Sequence, residues 1–252
     1  MTYLLEQDIF MKKNKESKLF INIDNTVFRN YYIFIVIKED YTMNYKGIIF
    51  DLDGVICFTD HYHYLAWKEM ADEIGVYFDE KINNRLRGVS RMASLDIILE
   101  RSDKEYSVDE KETLASKKNE IYKKLLLKMT PDDLSVEVKE TLDSLKADGY
   151  KLAIGSSSKN TKLILKQIGL WRYFDAISDG TNITHSKPNP EVFIKAAEYL
   201  ELKPEECLVV EDAVAGIDAA CAGGFESAGI GEAGSYEKTT YPLQSFSDLL
   251  KI

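Results

Sequence analysis

Beyond residue 45, the chain alternates between two hydrophobic patterns. Short continuous apolar runs, such as Ile48 to Phe50 and Leu208 to Val210, are typical of strands in a parallel sheet, because both faces of such a strand are buried. Longer segments carry apolar residues at helical spacing. The predicted strands cover 48–50, 150–155, 174–177, 207–210 and 227–230, and the predicted helices 136–147, 160–168, 190–200 and 214–222. This alternation predicts an α/β fold with a doubly wound, Rossmann-like parallel sheet.

A helical block interrupts this pattern directly after the first strand. Helical spacing of apolar residues covers 62–73, 92–100 and 107–128, with no convincing strand between these segments, and Pro131 follows. We therefore expect a core domain made of residues 46–57 and 131–252, with a small helical cap domain at residues 58–130 inserted into it. Since the insertion follows the tip of the first strand, it is placed to act as a lid.

Residues 1–45 differ from the rest of the chain and are interpreted as an N-terminal extension of unassigned structure. Met43 offers an alternative start for the functional domain. The apolar stretch between Leu19 and Ile37 is broken by Asp24, Asn25, Arg29 and Asn30, which argues against a membrane-spanning helix. The segment also lacks the cleavage pattern of a signal peptide.

Composition and charge narrow the range of partners. The chain has 252 residues, of which 45% are apolar and 29% charged, and a net charge of -10. This acidity disfavours nucleic acid and anionic membranes, so an anionic substrate requires a local basic cluster. The three cysteines lack disulfide or metal-ligand spacing, which favours a reduced environment. We expect a cytoplasmic protein, monomeric, that binds small molecules.

Two carboxylates follow the first strand at its carboxyl end, where open α/β sheets bind ligands. They belong to Asp51 and Asp53, and Gly54 then allows a sharp turn. Two neighbouring carboxylates invite a hard divalent cation, and Mg²⁺ commonly partners phosphate. A solvated acidic turn is the alternative, because such turns are common.

Later strands also end in polar clusters with complementary chemistry. Ser156 to Asn160 leads into a predicted helix, where hydroxyls and free N–H groups suit an anion; helix capping is the alternative use of these serines. Lys187 lies in a proline-flanked loop, although a loop lysine is usually only solvated. Glu211 and Asp212 form a second acid pair after another apolar strand. Together the two acid pairs predict a Mg²⁺ site.

In this order, the clusters resemble the motifs of the haloacid dehalogenase-like phosphotransferase superfamily, and the helical insertion resembles its capped subclass. The matching residues are Asp51-x-Asp53-Gly54, Ser156, Lys187 with Pro188, and Glu211-Asp212. Phosphatases, mutases and phosphonatases share this machinery, so the core motifs imply phosphoryl transfer without choosing among them.

Further segments resemble the sugar-phosphate mutases of that superfamily, over residues 46 to about 231. They are Leu86 to Arg91, His63 with Trp67, Lys117 to Asn119, and Ser156 to Asn160. The resemblance implies an isomerase that interconverts β-glucose 1-phosphate and glucose 6-phosphate through β-glucose 1,6-bisphosphate. A Mg²⁺-dependent sugar-phosphate phosphatase and a non-catalytic sugar-phosphate sensor are the alternatives.

The resemblance also implies roles for the core residues. Asp51 becomes the nucleophile that forms an aspartyl phosphate, and Asp53 the general acid and base. Lys187 and Ser156 hold the transferring phosphate. The implied Mg²⁺ ligands are the Asp51 side chain, the Asp53 backbone carbonyl, Glu211 and Asp212.

Roles for the cap follow because a mutase must grip a second, non-reacting phosphate. The substrate-binding residues implied by the resemblance are Asp53, Trp67, Gly88, Val89, Ser90, Arg91, Lys118, Ser158, Lys159 and Asn160. Arg91 can offer a bidentate fork to that phosphate. Thr59 and His63 are expected to hold Asp53 away until the cap closes. The alternatives are a surface arginine at 91, a hydrogen-bonded histidine between the domains at 63, and a packing role for Trp67.

Overall fold

The computed structural model describes the backbone of residues 12–13, 19–22 and 32–35, and residues 45–86 and 90–252 in full. The chain divides into two units, Met1–Thr42 and Met43–Ile252. In the first unit, β1 (Lys12–Lys13), β2 (Leu19–Asn22) and β3 (Tyr32–Ile35) form an antiparallel sheet in the order β1-β2-β3. Most of the predicted extension, and Gly88 and Val89, lie outside the described residues.

The second unit is built on a parallel sheet with the order β6-β5-β4-β7-β8-β9. This confirms the predicted doubly wound, Rossmann-like class. Strand β4 lies between β5 and β7, so the carboxyl ends of these three strands meet at one edge. The strands are β4 (Gly47–Phe50), β5 (Lys151–Gly155), β6 (Ala176–Ser178), β7 (Cys207–Glu211), β8 (Glu226–Gly229) and β9 (Tyr241–Pro242).

Helices α1 to α4 lie between β4 and β5 in the chain and are called the helical insertion below. They are α1 (Asp60–Glu73), α2 (Glu80–Asn84), α3 (Arg91–Leu99) and α4 (Val108–Leu126). The remaining α-helices are α5 (Val136–Ala147), α6 (Thr161–Gln167), α7 (Glu191–Leu200) and α8 (Val214–Ala222). Short 3₁₀ helices cover Pro131–Asp133, Pro204–Glu206, Ala233–Ser235 and Phe246–Lys251.

Local sequence explains where the main helices begin. Ser107 starts α4 with a capping box, in which its hydroxyl accepts from the Glu110 N–H and the Glu110 carboxylate accepts from the Ser107 N–H. Ser135 caps α5 by accepting from the Val138 N–H at 3.1 Å. Within residues 45–86 and 90–252, every helix is too short or too polar to span a bilayer.

The core is continuous through β4 because both faces of this strand are covered. Ile48 and Phe50 pack into the hydrophobic cluster that includes helices of the insertion and α5, whereas Ile49 faces the cluster built around α7. Each such buried side chain contributes about 1.5–3 kcal/mol to folding. The uninterrupted apolar run therefore places the residues that follow it at a rigid edge.

Candidate active site

The loop after β4 presents Asp51 and Asp53 at the centre of the sheet edge. The Asp51 N–H donates to the Val210 carbonyl of the neighbouring strand at 2.9 Å. Gly54 then turns the chain with a φ of +90°, which a residue with a side chain rarely adopts, and its N–H donates to the Cys57 carbonyl at 2.8 Å. Asp51 is thereby fixed where β4 ends.

The loops after β4 and β7 are in contact through Gly54. A Cβ atom at this position would overlap the Asp212 carboxylate. The glycine therefore serves both the turn and the approach of the second acid pair to the first.

Lys187 lies between the two acid pairs. Its Nζ contacts Asp51 Oδ1 and lies 2.5 Å from Glu211 Oε1, and it stands 4.6 Å from the centre of the Phe193 ring. Burial lowers the pKa of Lys187, but the two carboxylates outweigh it and hold that pKa above its ordinary value. Lys187 is therefore a fixed cation between Asp51 and Glu211.

The second carboxylate partner of Lys187 is held by backbone. Glu211 is buried, and its Oε2 accepts from the Ala213 N–H at 2.9 Å. Gly216 in α8 leaves the room for this carboxylate, since a Cβ there would overlap it. The glycine in the first turn of α8 thus allows the helix to pack directly against the Glu211 carboxylate.

The acid cluster carries more negative charge than Lys187 alone offsets. Burial raises the pKa of Asp51 well above its ordinary value; Lys187 opposes this, and Glu211 adds to it. Burial and Glu211 likewise raise the pKa of Asp212 to about 7. Carboxylates crowded in this way bind a cation in preference to remaining charged and unpaired.

The donor set of this cluster suits Mg²⁺, because all its oxygens are hard ligands. Within the described part of the chain, however, no three His, Cys, Asp or Glu side chains are arranged to hold a metal ion. The Lys187 ammonium contacts one carboxylate oxygen each of Asp51 and Glu211. The predicted ligands Asp51, Asp53, Glu211 and Asp212 stay a prediction.

Asp53 is held by the residue that precedes α1. The buried Thr59 hydroxyl donates to Asp53 Oδ1. Burial raises the pKa of Asp53, and the hydrogen bond from Thr59 opposes that rise. A carboxyl group with a raised pKa is suited to donate a proton at neutral pH.

The loop after β5 folds on its own hydroxyls. Ser156 is buried, and its Oγ accepts from the Ser158 N–H at 3.2 Å. The Ser158 Oγ in turn accepts from the Asn160 N–H at 3.2 Å. Both serines thus order the turn before α6 and do not cap that helix, which begins after Asn160 without a side-chain capping bond. Lys159 is exposed.

Lys118 of α4 is buried within the helical insertion and has an exposed fraction of 2%. Its Nζ lies 2.8 Å from His63 Nδ1, 4.8 Å from the Trp67 ring centre and 4.5 Å from the Tyr122 ring centre. Burial and the nearby Arg91 lower the pKa of Lys118 to about 7. Trp67 is buried under this ammonium, so packing accounts for its position; its predicted contact with substrate stays a prediction.

His63 and Arg91 extend the same cluster. Burial, Lys118 and Arg91 together hold the pKa of His63 well below its ordinary value, so the imidazole is neutral at pH 7. Burial also lowers the pKa of Arg91, and no ion pair reaches Arg91 from the described residues. Ser90 is exposed and caps α3, with its Oγ accepting from the Ala93 N–H at 3.3 Å.

Two residues of this region had no predicted role. Tyr122 packs against His63 with ring centres 4.1 Å apart, and its buried hydroxyl has no partner among the described atoms. Its position four residues after Lys118 on one helix face was the available signal. Asn119 forms part of a motif in the sequence, but its contact with Asn160, at 3.0 Å between Oδ1 and Nδ2, depends on the tertiary fold.

Known proteins similar to this chain include mutases and phosphatases. The family model for haloacid dehalogenase-like hydrolases matches residues 45–224. A β-phosphoglucomutase of Bacillus subtilis strain 168 is 39% identical over 189 residues, which are 74% of this chain and 84% of that protein. A fructose-1-phosphate phosphatase of Escherichia coli strain K12 is 31% identical over 187 residues, covering 73% and 95%. The crystal structure of a β-phosphoglucomutase from Clostridium difficile matches with a TM-score of 0.74 and 38% identity, covering 81% of this chain and 93% of that one.

Proposed function

Because the chain belongs to the haloacid dehalogenase-like hydrolase family, we propose that it is a β-phosphoglucomutase. It interconverts β-glucose 1-phosphate and glucose 6-phosphate through an aspartyl-phosphate enzyme and β-glucose 1,6-bisphosphate. The similarity to β-phosphoglucomutases supports this reaction. We place the enzyme in the cytoplasm as a monomer acting on free sugar phosphates.

The observation that carries the proposal is a second group of cations apart from Lys187. Arg91 and Lys118 interact electrostatically with each other and with His63, and neither forms an ion pair with a carboxylate among residues 45–86 and 90–252. Arg91 has no carboxylate partner among the described residues, and the opposite charge acting on Lys118 is that of Asp53, without a direct ion pair. Two half-buried or buried basic groups with so little countercharge favour an anionic ligand. A mutase needs such a site for the phosphate that does not react, whereas a monophosphate phosphatase needs only one.

In the proposed transfer, an Asp51 carboxylate oxygen attacks phosphorus and the bond from phosphorus to the sugar oxygen breaks. Asp53 gives its proton to the departing oxygen and takes one from the sugar hydroxyl in the return transfer. Lys187 offsets the charge of the attacking carboxylate and the phosphoryl oxygens. Asp51, the Asp53 backbone carbonyl, Glu211 and Asp212 would hold Mg²⁺, which would supply further charge neutralisation at the phosphoryl group.

The helical insertion supplies the groups around the sugar. Thr59 holds Asp53 before the transfer, and closing the insertion over the sheet edge excludes the water that would hydrolyse the aspartyl phosphate. Gly88, Val89 and Ser90, which precede α3 in the chain, would then approach the sugar. Ser158, Lys159 and Asn160 would complete the site for the second phosphate together with Arg91.

A sugar-phosphate phosphatase is the second candidate, because a fructose-1-phosphate phosphatase is 31% identical to this chain. The phosphatase and mutase reactions share the attack by Asp51 and differ in whether water or a sugar hydroxyl accepts the phosphoryl group. A non-catalytic sensor is disfavoured, since Lys187 pairs with the nucleophile as phosphoryl transfer requires.

One assay with two readouts tests the proposal. The enzyme is incubated with Mg²⁺, β-glucose 1-phosphate and trace β-glucose 1,6-bisphosphate, while glucose 6-phosphate and inorganic phosphate are measured together. A mutase forms glucose 6-phosphate with little phosphate release. Rapid release of phosphate from the bisphosphate, without glucose 6-phosphate build-up from β-glucose 1-phosphate, would establish the phosphatase instead.

Replacing His63 with alanine is expected to lower mutase kcat by about 10- to 100-fold. The change removes the partner of the Lys118 ammonium, and a hydrogen bond to a charged group contributes about 1.5–3 kcal/mol. It also removes the ring that stacks on Tyr122. Steady-state kinetics measure the effect, and circular dichroism checks that the fold is kept.

The matched control is His61→Ala, because His61 is exposed on the same helix two residues earlier. Its turnover should stay within about twofold of the unmodified enzyme, as expected for surface substitutions. Unchanged turnover in His63→Ala would contradict a role of the contact between His63 and Lys118 in turnover.

A further inference from the structure

We propose that Asn119 is a positioning residue that orients Asn160 for the second phosphate. Substrates with two phosphates are then selected only when α4 of the helical insertion is in contact with the loop after β5. This rests on the proposed function. Asn119 belongs to α4 of the helical insertion, and Asn160 ends the loop after β5. Their side chains form a direct polar link between these two parts of the second unit.

The orientation of Asn160 is unusual for its position. An asparagine directly before a helix normally turns its side-chain oxygen onto the first N–H groups of that helix. Asn160 occupies this position before α6 but makes no side-chain capping bond. Its Nδ2 donates instead to Asn119 Oδ1 at 3.0 Å. Helix α6 thus lacks the stabilisation of a side-chain cap, and the Asn160 amide is directed toward Asn119 instead.

The amide that Asn119 holds is partly shielded and still has bonding capacity. Asn160 has an exposed fraction of 6%, and an amide group has two N–H donors and one oxygen. The bond to Asn119 uses one donor, and fixes the direction of the other. Since Ser158 and Lys159 precede it in the same loop, the free donor lies with the other residues of the proposed second phosphate site.

The position of α4 against α6 is itself held by amide contacts. Beyond the carboxyl end of α4, Gln167 Nε2 donates to the Leu127 and Met129 carbonyls at 3.1 and 3.2 Å. Lys118, the residue before Asn119, is directed at His63 within the insertion. Two consecutive residues of α4 therefore contact different parts of the proposed site: Lys118 contacts His63, and Asn119 contacts Asn160. A shift of α4 would change both contacts.

Kinetic constants for β-glucose 1,6-bisphosphate in Asn119→Leu test the role. Leucine has a similar size but no acceptor, so the Asn160 amide loses its fixed direction. We expect KM for the bisphosphate to rise about 3- to 10-fold, the value of one neutral hydrogen bond, while kcat stays within about twofold. Ser116→Leu, at an exposed position one turn earlier on α4, is the matched control and should keep the original KM.

A double-mutant cycle separates positioning from packing. If Asn119 acts through Asn160, then Asn119→Leu combined with Asn160→Ala raises KM no further than Asn160→Ala alone. Additive increases in KM, or an Asn119→Leu defect confined to kcat or thermal stability, would overturn the proposal. The product formed by the unmodified enzyme tests the proposed function separately, because KM for the bisphosphate is measurable whether glucose 6-phosphate or inorganic phosphate accumulates.

Discussion

Asp51→Asn is expected to lower kcat by on the order of 10⁶-fold, the cost of removing a covalent nucleophile. An amide oxygen is a poor nucleophile toward phosphorus, and the variant cannot form the aspartyl phosphate through which both mutase and phosphatase reactions pass. The fold should be retained, because the side chains are isosteric and Glu211 still pairs with Lys187. The loss should therefore appear in both glucose 6-phosphate formation and phosphate release.

Mass spectrometry of the enzyme after rapid quenching gives an independent readout. A phosphate adduct on the peptide that contains residue 51 is expected in the unmodified enzyme and absent in Asp51→Asn. Asp72→Asn, at an exposed position on α1, controls for the substitution itself. Turnover above a hundredth of the original rate in Asp51→Asn would show that another group attacks phosphorus.

Lys187→Met is expected to damage both activity and stability. The fixed cation beside Asp51, the proposed nucleophile, is lost, which we expect to lower kcat by about 10²- to 10³-fold. Asp51 and Glu211 would be left buried without their countercharge, and breaking a buried ion pair in this way costs about 3–5 kcal/mol. For a chain of this size the loss corresponds to a fall in Tm of roughly 6 to 20 °C.

The pH and metal dependence of that loss identify its cause. Unpaired buried carboxylates have raised pKa values, so their charge destabilises the fold more as pH rises and less as pH falls toward their ordinary pKa of about 4. The Tm deficit of Lys187→Met should accordingly shrink at acidic pH and on addition of Mg²⁺. Thermal melts across pH, with and without Mg²⁺, measure both effects.

Lys139→Met is the matched control, because Lys139 forms an exposed i,i+4 pair with Asp143 on α5. Such pairs contribute about 0.3–0.5 kcal/mol, so its Tm should change little at any pH. A Lys187→Met deficit as small as that of Lys139→Met would contradict the role of Lys187 as the countercharge.

The sheet and its helices were predictable because their signals are local. The bounds of α5 and α8 agree with the sequence prediction, and β4 differs from it by one residue, since apolar runs and helical spacing report burial directly. Among the α-helices and parallel strands of residues 45–252, the sequence prediction missed α2 and β9. Helix α2 has five residues and buries only Ile82, and β9 has two residues, so neither is long enough to repeat its hydrophobic pattern.

The candidate site was predictable where its residues directly follow strands of the parallel sheet. Carboxyl ends of adjacent parallel strands meet at one edge, so the convergence of Asp51, Ser156 and Glu211 followed from strand order. Contacts of the insertion are different in kind. The placement of Tyr122 beside His63 and of Asn119 against Asn160 depends on how α4 packs, and no local pattern encodes that packing.

The Phe193 ring below the Lys187 ammonium has a consequence for protein engineering. This ring also fills the space that Gly155 leaves and packs edge-on to Phe225. It therefore connects the hydrophobic cluster around α7 to the Lys187 ammonium. Variants selected only for improved thermal tolerance at that buried face would therefore risk altering catalysis without touching a polar residue. Libraries aimed at new sugar preferences should keep α7 constant and place their diversity in the helical insertion.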